Sequence, residues 1–153
     1  MEFEKIYNKG QAQLFKNQYL EFLTKTHPLV IWGMYTPVLL FLPYYAATTL
    51  GFPAMKTFLL FVSGMFFWSL VEYVLHRFLF HHTPHTERGK RINYVMHGNH
   101  HEYPRDKERL FMPAVPSLLI ASAFFLTYFL LLGENAIPFF PGFMLGYLLY
   151  GSM

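Results

Sequence analysis

Residues 72–101, EYVLHRFLFHHTPHTERGKRINYVMHGNHH, hold seven of the chain's eight histidines and begin inside an apolar run. Two spacings stand out: His76 and His81, five residues apart, and the triplet His97, His100 and His101. Imidazoles at this density point to a metal, and the apolar run leading into them places it at a membrane surface. On an α-helix, at about 100° per residue, the triplet falls within an arc of about 100°, so three imidazoles converge on one face. His76 and His81 lie about 140° apart and converge only if the helix bends or ends between them. That sets the first motif where an apolar helix leaves the membrane.

The flanks have a membrane composition. Of 153 residues, 54% are hydrophobic, 20% aromatic and only 14% charged, against roughly 25% charged in soluble globular proteins. There is no cysteine, which removes disulfides, iron–sulfur clusters and thiolate nucleophiles, so any metal is held by nitrogen and oxygen. The net charge of +3 is small. Its basic residues are grouped between apolar runs, which suits anionic lipid headgroups and excludes a nucleic-acid partner.

Outward from the histidines, the pattern predicts an all-α integral membrane protein of about four transmembrane helices. A first span runs from about Leu29 to Leu50, kinked by Pro37 and Pro43. Gly51, Phe52 and Pro53 make a turn, and a second span runs from about Ala54 to Leu75 or beyond. A third, Ser117 to Leu132, is short for a ~30 Å hydrocarbon core, and Gly133, Glu134 and Asn135 form the next turn. A fourth apolar run begins near Ile137. Counted from Pro141 it reaches about 20 Å, so the chain reads as cut inside that helix. Residues 1–28 form an N-terminal interfacial segment, with an amphipathic helix over about 11–24, and residues 29–153 form the membrane domain. Arg77, Arg88, Lys90, Arg91, Arg105, Lys107 and Arg109 between the second and third spans, with the lysines before the first, put the histidines on the cytoplasmic side.

Neutral imidazoles suit iron, zinc, copper or nickel without choosing among them. Ligand histidines usually donate their other ring nitrogen to a carboxylate or carbonyl. Glu72, four residues before His76 on the same helical face, is the candidate, with an ion pair to a neighbouring arginine as the alternative. His82 and His85 flank the Thr83-Pro84 turn and are further candidate ligands; His27, before Pro28, reads as solvated. Asp106 and Arg109 form either a local i, i+3 ion pair or part of the mouth of the site. Tyr94 and Tyr103 border the triplet.

EYVLHRFLFH followed by HGNHHEYPRDKERLFMPAVP resembles the fatty acid hydroxylase and sterol desaturase superfamily, and within it looks most like membrane fatty acid 2-hydroxylases. The similarity is close over about 60–120. The resemblance implies a four-helix membrane fold topped by a cytosolic cap, with a histidine-held dinuclear metal centre that activates O₂. Iron is expected for activity, with zinc as an alternative bound species. On the matching positions, the first motif supplies His76 and His81 and the second His97, His100 and His101, with Glu72, Asp106 and Arg109 behind them. Two further histidine motifs of the family would lie beyond Met153, so the 153 residues alone are expected to be inactive. A separate electron donor is implied, cytochrome b5-like or a ferredoxin with its reductase.

The leading expectation is a monooxygenase that inserts oxygen from O₂ into a C–H bond of a lipid acyl chain, beside the carboxyl or amide carbon of a fatty acid or sphingolipid. No side chain need act as a general base; the metals supply the oxidising power. Two alternatives stand beside it: a sterol or carotenoid hydroxylase or desaturase of the same superfamily, and a non-enzymatic membrane protein that binds or transports metal. Against transport, the spans carry few ionisable groups besides Glu72.

Overall fold

The computed structural model describes residues 6–7, 9–80 and 85–152, with Phe80, His97 and His100 described through their backbone. All regular structure among the described residues is helical. In chain order the α-helices are α1 (Gln18–Leu23), α2 (Pro28–Thr48), α3 (Ala54–Val74), α4 (Glu87–Asn93), α5 (Asn99–Glu102), α6 (Ala114–Leu132) and α7 (Ala136–Gly151). Two π-helical turns, Leu75–Phe80 and Tyr94–Gly98, prolong α3 and α4. The chain divides into two units, one of residues 1–28 with 72–113, the other of 29–71 with 114–153.

The second unit is the membrane bundle. Among the described residues three stretches are long and apolar enough to cross a bilayer, Pro28–Thr48, Ala54–Leu79 and Lys107–Gly151, the last containing both α6 and α7. A helix satisfies its own backbone, the condition hydrocarbon imposes on any spanning segment. Pro37 and Pro43 are both accommodated within α2. The turns fall where the sequence predicts: Gly51 has φ +68° and Gly133 φ +57°, a left-handed backbone that glycine adopts without steric cost. The third span begins three residues before its expected start, because Ala114, Val115 and Pro116 enter the first turn of α6, where a proline needs no N–H partner. α7 likewise begins at Ala136 and takes in Pro138 and Pro141, giving 16 residues, or about 24 Å.

α7 is the core of this unit. Its Pro138, Phe139, Phe140, Pro141, Gly142, Phe143, Met144, Gly146 and Leu148 are all buried, whereas α2, α3 and α6 expose large apolar side chains such as Leu40, Phe58, Phe66, Leu130 and Leu131. That distribution is expected when the surrounding solvent is lipid, which leaves packing rather than hydrophobicity to bind helices together. α6 and α7 run antiparallel through aromatic contacts, Phe124 with Phe143 at 5.1 Å and Tyr128 with Phe139 at 5.2 Å between ring centres. Against α3 the packing is closer still. A Cβ at Gly64 or Gly142 would overlap the carbonyl of Phe139 or of Phe61, and one at Gly146 would stand 2.6 Å from Cβ of Trp68. The three glycines let two backbones touch. The hydroxyls of Tyr35 and Ser117 share a buried hydrogen bond of 2.8 Å, which satisfies both groups.

The first unit joins the N-terminal segment to the histidine region. The expected helix over 11–24 shrinks to α1, Gln18–Leu23. Asn17 caps it, its Oδ1 accepting from Tyr19 N–H at 2.9 Å. Before the cap the backbone is pulled off the helical path, because Leu14 and Phe15 donate their N–H groups to Glu21 at 3.0 and 2.8 Å. Arg91 also donates to the Leu14 carbonyl. Further along, Thr26 N–H donates to the Glu108 carbonyl at 2.8 Å, and Tyr7 N–H to that of Glu102 at the same distance. Tyr7 stacks on Tyr103 with ring centres 5.1 Å apart.

Candidate metal centre

The two histidine motifs meet. His76, in the π-helical extension of α3, and His101, in α5, have ring centres 6.1 Å apart and planes inclined at 66°. With N–metal bonds of about 2.0–2.1 Å, two imidazoles on one ion have centres up to about 6 Å apart. The pair stands at the outer limit for a shared metal, no group of three or more ligand side chains closes on an ion among the described residues, and an all-nitrogen donor set suits iron or zinc. Nδ1 of His76 is 3.7 Å from Oε1 of Glu72, one helical turn earlier. The Glu72 carboxylate thus lies on the Nδ1 edge of the ring, where the expected partner of a ligand histidine belongs.

The backbone around both motifs is π-helical rather than α-helical. In a π turn each N–H reaches the carbonyl five residues back, which stacks residues five apart, the spacing of His76 and His81. The turn carries His76 onward from α3 without a break after Leu75. His81 and His82 lie outside the described residues. The second motif differs from expectation in the same way, since His97 sits in the π turn Tyr94–Gly98 and only His100 and His101 are in α5. An arc measured at 100° per residue therefore holds only from Asn99 onward.

Asn99 maintains that junction. Buried to 6% exposure, it donates its side-chain amide to the carbonyls of Tyr94 at 3.1 Å and Val95 at 2.8 Å. Sequence reading passed over it, although an asparagine inside an H-x-x-H-H triplet is a poor helix former that favours such side-chain-to-backbone bonds. Asn99→Ala removes both donors and should lower bound metal by about tenfold or more. Metal content of the purified variant, beside its unfolding temperature, checks this.

Tyr94 donates to Oε2 of Glu102 at 2.5 Å. Burial first, and then the Glu102 carboxylate, push its phenol well above the ordinary value, so it remains a neutral donor. Tyr103 is occupied by its stack on Tyr7. His85 is exposed in the bend before α4.

Asp106 and Arg109 form more than a weak surface pair. They bond at 2.7 Å with side chains 2% and 4% exposed, and the other arm of the guanidinium bonds Glu21 at 2.5 Å. Burial pushes the Glu21 carboxyl up, but the Phe15 N–H, Arg109 and the Leu14 N–H outweigh it and hold the group below the usual carboxylate range. Removing one member of such a cluster strands a buried charge, at a cost of about 3–5 kcal/mol. Its role is to tie the loop after the second motif to the N-terminal segment. Glu21 escaped the sequence reading, yet a signal existed: it is the only carboxylate between Lys5 and Pro28.

Comparison with known proteins gives the family. The chain is 37% identical to the fatty acid 2-hydroxylase of Homo sapiens over 90% of its length and 42% of the relative's. It is 39% identical to the ceramide very long chain fatty acid hydroxylase scs7 of Schizosaccharomyces pombe over 92% of its length and 41% of the relative's. It thus spans about two fifths of these curated relatives. A solved structure described as full-length scs7p, with only the hydroxylase domain visible, superposes with a TM-score of 0.84 at 36% identity, covering 94% of this chain and 55% of that one. The fatty acid hydroxylase family profile matches residues 61–153. Because that match takes in both histidine motifs and the helices around them, this chain belongs to the fatty acid hydroxylase family.

Proposed function

We propose that the intact protein hydroxylates a lipid acyl chain at the carbon beside its carboxyl or amide carbonyl. The observation that carries this reading is the approach of His76 to His101, which brings one histidine from each motif to a distance suited to a shared metal. The names of the relatives, fatty acid 2-hydroxylase and ceramide very long chain fatty acid hydroxylase, support the choice of an acyl substrate.

In this reading His76, His81, His97, His100 and His101 hold a dinuclear centre, with iron as the active metal. When bound, the metals supply the activation of O₂ for oxygen insertion into a C–H bond. The chain's own residues position and support. Glu72 orients His76 through its Nδ1 edge, and Asn99 fixes the backbone junction that carries the second motif. Asp106 and Arg109 hold the loop that follows it. The substrate's tail remains in hydrocarbon beside the apolar helices, and electrons come from a separate donor, cytochrome b5-like or a ferredoxin with its reductase. The excess of arginine and lysine between α3 and α6 supports a cytoplasmic histidine site.

Lipid mass spectrometry of cells expressing the intact protein with a reductase tests the proposal. The expected product is a new pool of 2-hydroxy acyl lipids. A lipidome unchanged in that pool, with metal-loaded protein in the membrane, would overturn it, and hydroxylated sterols in its place would move the substrate class.

A further inference from the structure

Helix α1 is built the wrong way round for water. Its carboxylate, Glu21, is turned inward with its side chain 17% exposed and is bonded to Arg109 and to the N–H groups of Leu14 and Phe15. Its apolar side chains point out: Tyr19 is 83% exposed, Leu20 48%, Phe22 75% and Leu23 65%. None of the helix's residues is buried. A helix facing water does the reverse, so a contiguous outward apolar face marks a contact surface.

We propose that this face is a lipid anchor, with Tyr19, Leu20, Phe22 and Leu23 seated in the headgroup and acyl boundary of an anionic bilayer. Two observations select lipid over a protein partner. The first is continuity: only residues 24–27 separate α1 from α2, a spanning helix that starts at Pro28. At no more than about 3.6 Å per residue, the end of α1 lies within about 18 Å of that helix. The second is charge. Lys16, exposed just before α1, is complementary to anionic headgroups, whereas Lys25 after the helix is held by Glu108 at 3.4 Å and by Gln11 at 2.6 Å; a tyrosine on the same face is typical of the membrane interface. The inward Glu21 is what makes the outward face available: it anchors α1 by polar bonds, leaving the apolar side chains to the lipid. The same bond to Arg109 passes the seating of α1 to the loop that follows the second histidine motif. The inference stands apart from the oxygenase reading, since it requires only that α2 span the membrane.

The chain contains no cysteine, so single-cysteine variants accept one environment-sensitive fluorophore each. Phe22→Cys and Tyr19→Cys, labelled in the intact protein, would be reconstituted into vesicles of phosphatidylcholine and phosphatidylserine. Glu87→Cys, at a side chain 89% exposed, serves as the aqueous reference. At positions 19 and 22 the expected result is blue-shifted emission that is lost on adding lipid with a nitroxide at a shallow acyl position, while the reference keeps its emission. Water-like emission quenched by iodide at both positions would overturn the proposal. So would blue-shifted emission that the nitroxide lipid leaves untouched, which would mark a protein contact instead.

Discussion

Replacing His101 by alanine in the intact protein is expected to weaken metal binding on the order of 100-fold or more and to abolish hydroxylation with it. Loss of a partner behind a ligand costs about 10–100-fold in affinity, and loss of the ligand itself costs at least as much. His76→Ala should have the same consequence if the proposed centre is shared, since the two rings stand 6.1 Å apart. The pair should be strongly non-additive: once one ligand is gone, removing the other changes little, as expected of residues that act as a unit. His85→Ala is the matched control. That residue is exposed in the bend before α4, and its loss should leave metal and activity in place. Elemental analysis of the purified variants, beside their hydroxylated-lipid yield, reads all four. Wild-type metal content in His101→Ala would remove this residue from the centre.

The second large effect belongs to the bundle. Gly142→Ala should destabilise the intact protein by about 3 kcal/mol or more, the upper part of the range for overpacking, and lower its unfolding temperature in detergent. A methyl at this position would collide with the Phe61 carbonyl of α3, and a backbone cannot give way as the tip of a flexible side chain can. Gly33→Ala provides the contrast, with nothing within 4 Å of its added Cβ. A glycine-to-alanine change in an open helix interior stabilises by roughly 0.5–1 kcal/mol, so this variant should unfold no lower than wild type. Equal unfolding temperatures for the two variants would mean that α3 and α7 do not pack through their backbones.

Much of this was legible in the chain's local pattern. Apolar run lengths placed α2, α3 and α6 to within a few residues, since the length of a spanning helix is set by the thickness of the hydrocarbon it crosses. Glycines marked both turns, Gly51 and Gly133. The five motif histidines were picked out by spacing, although the geometry assumed for them was α-helical. The π turns were not foreseen: whether a helix takes an extra residue into one turn depends on its neighbours. At Tyr94–Gly98 it goes with the side chain of Asn99, which bonds two carbonyls of that turn. The N-terminal helix is shorter than its pattern predicts for a related reason. Its residues 11–17 have an amphipathic pattern, but the bonds of Glu21 to Leu14 and Phe15 hold that backbone in another shape.

Residue order alone was enough for the class of molecule and for the places of its long apolar helices, because each rests on a period or run length within a few turns of chain. Three features needed the folded chain. His76 meets His101, Arg109 is shared between Asp106 and Glu21, and α7 rather than a longer helix occupies the middle of the bundle. Each joins or sorts residues far apart in sequence, and its energy comes from close packing or from burying paired charges. No local period encodes those terms; they exist only once distant segments have been brought into contact.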